Sequence, residues 1–258
     1  MGNVRVSFID VGKGDCILIQ AGEQAALIDT GFANTSDKVM AYLRGNGVGS
    51  LECLVITHYD RDHIGGVRTI GEKLPVGMVY LPGYRGADKN YRSLMATVEE
   101  LGLNAQPVVE ELCVQLGEAL LTIFPSRVEF VPNAKGDEGN DNDLSLVSSL
   151  TCGGDSFLFT GDLEKEGIMS YLDGGHGRFD ILKVPCHGQK SPCTDELLED
   201  VRPKMAVITD GADNPADKKT LKQLKETGIE TYRTGDHGTV VVAGNGAGSY
   251  SVSTSRSR

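Results

Sequence analysis

The chain has no C-x-x-C pair and no apolar run near the roughly 20 residues needed to cross a bilayer. The second absence excludes a membrane helix. Basic residues are also scarce, with 25 Lys and Arg against 36 Asp and Glu and a formal charge of −11 in 258 residues. A surface built to grip a long nucleic-acid duplex is therefore disfavoured, because nonspecific affinity grows with the number of Lys and Arg contacts to phosphate. Chemistry on a phosphodiester is not excluded by that balance. The six cysteines (positions 16, 53, 113, 152, 186 and 193) show no pairing pattern, and Cys16 and Cys53 fall in apolar runs where a free thiol acts as a small hydrophobe. A reducing compartment fits this usage. The N-terminus enters a strand with no basic and apolar leader ahead of it, so a cytoplasmic protein is expected. No stretch resembles a long linker, and one domain over residues 1–258 is expected.

The densest chemistry lies in Thr57-His58-Tyr59-Asp60-Arg61-Asp62-His63-Ile64-Gly65-Gly66. It follows Leu54-Val55-Ile56, a short buried strand by its composition, so the polar cluster leaves the strand at its C-terminal end, where α/β folds put chemistry. His58, Asp60, Asp62 and His63 are four potential metal ligands within six residues, and Arg61 is the one fixed positive charge between the two aspartates. One or two divalent cations would neutralise the carboxylates and use the imidazoles as donors. A solvated polar loop is the plainer alternative and leaves the density of ligands unexplained.

Periodicity predicts strands over 4–10, 16–20 and 25–29, then a helix over 36–45 capped at Ser36, strands over 54–57 and 76–81, and a helix over 88–101. Further strands are expected within 107–124, at 144–151 and 156–160 around Gly153-Gly154, and at 179–184. Helices near 194–201 and 216–227 alternate with strands at 205–209, 229–232 and 238–242. The irregular segment 126–143 reads as a lid or substrate loop. Several lone residues sit at strand ends. Asp29 is either the acceptor that orients a ligand imidazole or a turn-forming aspartate, and Asp162 alone reads equally as a helix N-cap. His176 is expected in a solvent-facing turn, and His237 within reach of a cleft, at metal or substrate. Lys13, Lys183 and Lys190 read as exposed lysines, with assistance to a phosphate as the alternative.

The pattern His58-x-Asp60-x-Asp62-His63-x-Gly65-Gly66 resembles the signature of the metallo-β-lactamase superfamily, whose usual form has a second histidine where this chain has Asp60. The Asp form is similar to that of the hydrolase domain of the DNA-uptake protein ComEC and its stand-alone relatives. Phe8 to Asp15, Leu27 to Gly31, Ser145-Leu146-Val147, Phe159 to Asp162 and Lys183 to Gly188 match in the same order. The resemblance implies an α/β fold: an αββα sandwich of two mixed β-sheets flanked by helices. It also implies a hydrolase with two divalent metal ions, Zn or Mn, and Asp62 and Asp162 as catalytic carboxylates. One ion would be held by His58, Asp60 and a bridging Asp162, the other by Asp62, His63, Asp162 and His187. This chain departs from the usual pattern before Ser145, where Asn142 and Asp143 stand and no histidine does. Ser145, Cys186, Asp29 and His237 are the further candidates for support or substrate contact; Cys186 occupies a position where the family often has a histidine. The implied substrate is a phosphodiester, with short or single-stranded nucleic acid as one form of it and no membrane partner. The alternatives are hydrolysis of a thioester, lactone or amide, or a metal-binding interaction module without turnover.

Overall fold

The computed structural model describes residues 3–131 and 139–256, so the middle of the expected loop over 126–143 lies outside the described residues. The strands in chain order are β1 (Val4–Phe8), β2 (Ile17–Ala21), β3 (Gln24–Ile28), β4 (Leu51–Val55), β5 (Val76–Pro82), β6 (Ala105–Val108), β7 (Leu112–Leu116) and β8 (Ala119–Phe124). They continue as β9 (Val147–Cys152), β10 (Asp155–Phe159), β11 (Ile181–Lys183), β12 (Met205–Ile208), β13 (Glu230–Arg233), β14 (Val240–Gly244) and β15 (Tyr250–Thr254). Two mixed sheets result, ordered β15-β14-β1-β2-β3-β4-β5-β6 and β13-β12-β11-β10-β9-β8-β7. Each begins as an antiparallel meander and ends in parallel crossovers: β3 to β6 run parallel in the first, β10 to β13 in the second.

The period-two alternation of the strands sorts their side chains between two cores. Ile17 and Ile19 point into the space between the sheets with Phe8, Ile28, Phe157 and Phe159, while Leu18 points outward. Because both faces are covered, the strands read as nearly continuous apolar runs. Over the first sheet lie α1 (Ser36–Gly45), α2 (Arg61–Ile64), α3 (Val67–Lys73) and α4 (Lys89–Glu100), with Val39, Leu43, Ile70 and Leu94 packed on Leu18, Leu27 and Leu54. Over the second lie α5 (Lys165–Leu172), α6 (Thr194–Val201) and α7 (Lys218–Glu226), with Ile168, Leu197, Val201 and Leu224 packed on Leu158, Leu182 and Ile208. A single turn, α8 (Thr234–His237), precedes β14. The expected αββα sandwich is what forms.

Local differences from expectation have local causes. Ser36 does not cap α1; its hydroxyl donates to Ala33 O at 2.8 Å in a preceding 3-10 turn, and Thr35 takes the cap position. Asp88 does cap α4, accepting from Asn90 N at 3.0 Å and Tyr91 N at 2.8 Å. β15 was missed because its Ser- and Thr-rich sequence is only half-buried and reads as a polar tail, yet it pairs antiparallel with β14 along its whole length.

Candidate metal centre

The C-terminal ends of β3, β4, β10, β11 and β12 gather the polar side chains. After β3, Asp29 takes a left-handed backbone conformation, φ 55°, which turns its buried carboxylate back into the fold. Its Oδ1 accepts from Thr57 N at 2.8 Å, and its Oδ2 accepts from Thr57 Oγ1 at 2.6 Å and from His63 Nδ1 at 2.7 Å. That bond fixes the His63 tautomer with the proton on Nδ1 and the Nε2 lone pair facing away. Since the Thr57 hydroxyl gives its proton to Asp29, its oxygen is free to accept from His58 Nδ1 at 3.1 Å, so His58 is turned the same way. The turn carrying Asp62 and His63 lies tight against neighbouring backbone: a Cβ at Gly65 would stand 2.4 Å from Ala33 N, which explains glycine there.

The second sheet supplies its groups singly. Gly161, at φ 50°, ends the run from β10, and a Cβ on it would meet Ser145 Cβ at 2.8 Å. The next residue is Asp162, whose N–H donates to Ser145 Oγ at 3.2 Å. After β11, Cys186 and His187 both adopt left-handed conformations (φ 46° and 51°), and His187 Nδ1 donates to Thr209 O at 2.9 Å. This again leaves Nε2 as the free nitrogen.

The three imidazoles converge. Ring centroids are 4.1 Å apart for His58 and His63 and 5.3 Å apart for His63 and His187. His63 Nε2 stands 3.5 Å from Asp162 Oδ2, and His187 Nε2 stands 3.0 Å from the same oxygen and 3.5 Å from Asp62 Oδ2. All three rings are buried, and none of their Nε2 atoms makes a hydrogen bond among the described residues. Buried polar nitrogens without partners are costly. A divalent ion resolves that cost, and neutral imidazole with carboxylate is the donor set such ions take. Two compact groups are suited to it, His58 with His63 and Asp162, and Asp62 with His63 and His187, each with ligand atoms within 4.8 Å of one another; a third, Asp15 with Asp29 and His63, is already tied by the Asp29 bond to His63 Nδ1.

The local electrostatics express the same crowding of charge. Burial works to raise the Asp62 carboxyl, but the neighbouring His187 and His63 imidazoles outweigh it and lower it to about 2. Burial likewise opposes charge on His63, where Asp162 and Asp29 prevail and raise the imidazole well above its usual range. His187 is raised in the same way, chiefly by Asp162 against burial. Asp162 is lowered well below the carboxylate range, burial being overcome by His187, His63 and Lys183.

Other sequence candidates fall elsewhere. Asp60 sits at the rim as the residue before α2, its Oδ2 3.6 Å from His58 Nε2, and belongs to neither compact group. Ser145 backs the cluster, its Oγ 3.4 Å from His58 Nδ1. Burial pushes the Cys186 thiol up to about 12, and it too lies outside those groups. His237 does not reach the cluster: its Nδ1 is within 3.1 Å of Arg233 N and 3.0 Å of Arg233 O, engaged by its own turn. His176 is not in a solvent-facing turn but half-buried, stacked on Tyr171 at 4.7 Å and tilted against Phe124 at 4.3 Å. Lys183 is neither exposed nor aimed at solvent; it is fully buried among Asp15, Gly161 and Asp162. Asp15, Thr57 and Thr209 are the supporting residues that sequence reasoning left without roles. For Lys183 a signal existed, since alternation from Ile181 places it on the inward face of a buried strand.

A sequence model of the metallo-β-lactamase superfamily matches residues 9–209. The chain belongs to that superfamily. It is similar to ComE operon protein 3 of Bacillus subtilis, with 30% identity over 259 residues that cover 92% of this chain and 32% of that protein. Recombination protein 2 of Haemophilus influenzae is 30% identical over 219 residues, covering 82% of this chain and 25% of that protein. The chain thus spans a third or less of the length of these relatives. Among solved structures, the metallo-β-lactamase fold protein YhfI from Bacillus subtilis superposes with a TM-score of 0.62 over 95% of this chain and 100% of that one, at 13% identity, a likeness of fold. The likeness to competence-related members of the superfamily, read from the Asp60-containing motif, is borne out by these matches. The fold is one that typically holds divalent metals. No helix among the described residues is long and apolar enough to cross a membrane.

Proposed function

We propose that this protein is a metal-dependent hydrolase of phosphodiesters that works with two divalent ions, zinc or manganese. The observation that carries this reading is the convergence of three buried Nε2 atoms, none hydrogen-bonded among the described residues, with the Asp62 and Asp162 carboxylates. His58, Asp60 and Asp162 would hold one ion, and Asp62, His63, Asp162 and His187 the other. Bound there, the ions supply Lewis acidity that lowers the pKa of water and offsets charge developing on a phosphoryl oxygen. The protein's own part is orientation. Asp29, Thr57 and the Thr209 carbonyl keep each imidazole in one tautomer, and Asp62 and Asp162 stay ionised through the neutral range, able to hold the ions and to accept a hydrogen bond from an attacking water.

Two features favour the phosphodiester. Asp60 in place of a histidine makes the His58 side richer in oxygen, which suits manganese and phosphate oxygens better than a three-histidine zinc site. A relative at 30% identity carries the name Recombination protein 2, which points to nucleic acid as a substrate class. With a formal charge of −11, the chain is suited to short or single-stranded ends entering a cleft and poorly suited to a long duplex.

The test is metal analysis of the purified protein together with hydrolysis of bis(p-nitrophenyl) phosphate and a single-stranded oligonucleotide, beside thioester and lactone substrates. Turnover of the phosphodiesters that tracks metal content is expected. A metal-loaded protein that cleaves only the thioester or lactone would overturn the substrate class, and one inert to the whole panel would leave a binding module. A protein that takes up no metal would overturn the reading altogether.

A further inference from the structure

Lys183 stands in the interior with no exposure to solvent, although a lysine of ordinary purpose would extend its ammonium to water. Its Nζ lies 2.6 Å from Asp15 Oδ2, 2.7 Å from Gly161 O and 3.3 Å from Asp162 Oδ1. It donates hydrogen bonds to Gly161 O and Asp162 Oδ1, and the Asp15 carboxylate completes the shell as an ion pair. Burying an ammonium is expensive even when it is paired, and well-packed apolar residues in place of the whole ion cluster would often be no less stable. Packing alone does not explain the charge.

The partners do explain it. Asp162 divides its two oxygens: Oδ1 faces Lys183, and Oδ2 faces His187 Nε2 at 3.0 Å and His63 Nε2 at 3.5 Å. Asp15, on the far side of the ammonium, is itself anchored because its Oδ1 accepts from Thr209 Oγ1 at 2.5 Å. The ammonium is thus clamped between a fixed carboxylate and Asp162, and rotation of Asp162 would break that clamp. We propose that Lys183 is a positioning residue that reserves one oxygen of Asp162 for the ion-binding imidazole face and withholds the other. The proposal rests on the metal-hydrolase reading and adds to it a residue that touches neither metal nor substrate. In its absence Asp162 would be free to turn, and two carboxylates would be left buried around one missing cation.

The experiment compares the parent with Lys183→Met and Lys183→Gln, measuring Mn²⁺ and Zn²⁺ affinity by chelator competition and the thermal midpoint in excess chelator. Loss of an outer partner of a metal ligand costs about 10- to 100-fold in metal affinity, and a loss of that size is expected for Lys183→Met. Lys183→Gln, which keeps N–H donors near Asp162 Oδ1 without the charge, should lose less and secures the comparison if the Met protein does not fold. Lys190→Met, on an exposed lysine, should match the parent. Either Lys183 variant, folded and binding metal with the parent's affinity, would overturn the assignment, as would an effect confined to the metal-free thermal midpoint. A parent that binds no metal would overturn the metal-centre reading itself, a result distinguishable from both.

Discussion

The first sheet delivers its candidate ligands in one six-residue run after β4, whereas the second delivers Asp162 after β10 and His187 after β11, with 24 residues between them. Each sheet also places a left-handed residue at the end of an antiparallel hairpin, yet the two differ in kind. In the second it is Gly161, which adopts φ 50° without steric cost, and the carboxylate follows it. In the first it is Asp29 itself, at φ 55° and fully buried. A non-glycine residue there carries strain that only its side chain's bonds to Thr57 and His63 offset. The first sheet thus invests in a dense, pre-bonded turn, and the second contributes separate groups steadied by backbone and by Lys183.

If the site straddles both sheets equally, His63→Ala and Asp162→Ala should each lower hydrolysis to below about one-thousandth of the parent, with loss of bound metal in both. Metal analysis beside activity checks this, and unchanged metal content in Asp162→Ala would confine the centre to the first sheet. The next effect separates the sheets. Asp29→Asn keeps shape and tolerates the left-handed conformation but removes the charge behind His63, so metal affinity should fall about 10- to 100-fold. Thr209→Val leaves the carbonyl that holds His187 in place and removes only the hydroxyl that anchors Asp15, one contact further from the ligands, so its affinity should change only about threefold or less. Equal losses in chelator competition would erase the contrast.

A pH series tests the charges directly. In metal-free protein the raised pKa values of His63 and His187 mean that their stabilising pairs with aspartates are complete below the ordinary imidazole value of about 6.5 and are lost as pH rises through the raised values. The metal-free thermal midpoint should therefore fall as pH rises above about 6.5. Metal affinity should rise over the same range, because proton and ion compete for Nε2. Asp62, lowered to about 2, contributes above the carboxylate range and loses its contribution only as pH falls towards that value. A metal-free midpoint that climbs with pH would show that the imidazoles are already neutral. The smallest effect is expected from His176→Ala, which removes a ring stacked on Tyr171 and tilted against Phe124: a stability loss of about 1 kcal/mol by denaturant titration, with metal content unchanged.

The same contrast governs what could be read from the sequence. The cluster from His58 to His63 was legible because ligand spacing within one turn is local, and the strands were legible because their apolar runs are nearly continuous. Asp162 and His187 drew attention only through resemblance, since a lone polar residue after a strand has an ordinary reading as a cap or turn. Of the acceptors behind the imidazoles, Asp29 is a sequence candidate, whereas Thr57 and Thr209 are not. Thr209 and Asp15 are 194 residues apart and meet only when the sheets close on each other, a relation no local pattern carries. His237 departs from expectation for the converse reason: its place before an apolar strand suggests the cleft, but its Nδ1 is engaged by Arg233 one turn away.

β1 lies between β2 and β14, with Val4 opposite both Ala21 and Gly244. During synthesis β1 must therefore wait for β14 before its outer edge is paired, and Arg256 then reaches back to bond Asp10 at 2.5 Å. Until then the nascent chain exposes an open, apolar strand edge of the kind that invites mispairing. A fragment ended at residue 209, where the superfamily match stops, would hold every proposed ligand yet leave that edge bare. The smallest unit able to close its first sheet runs through β14, so the chemistry near the middle of the chain depends on a hairpin that touches none of it.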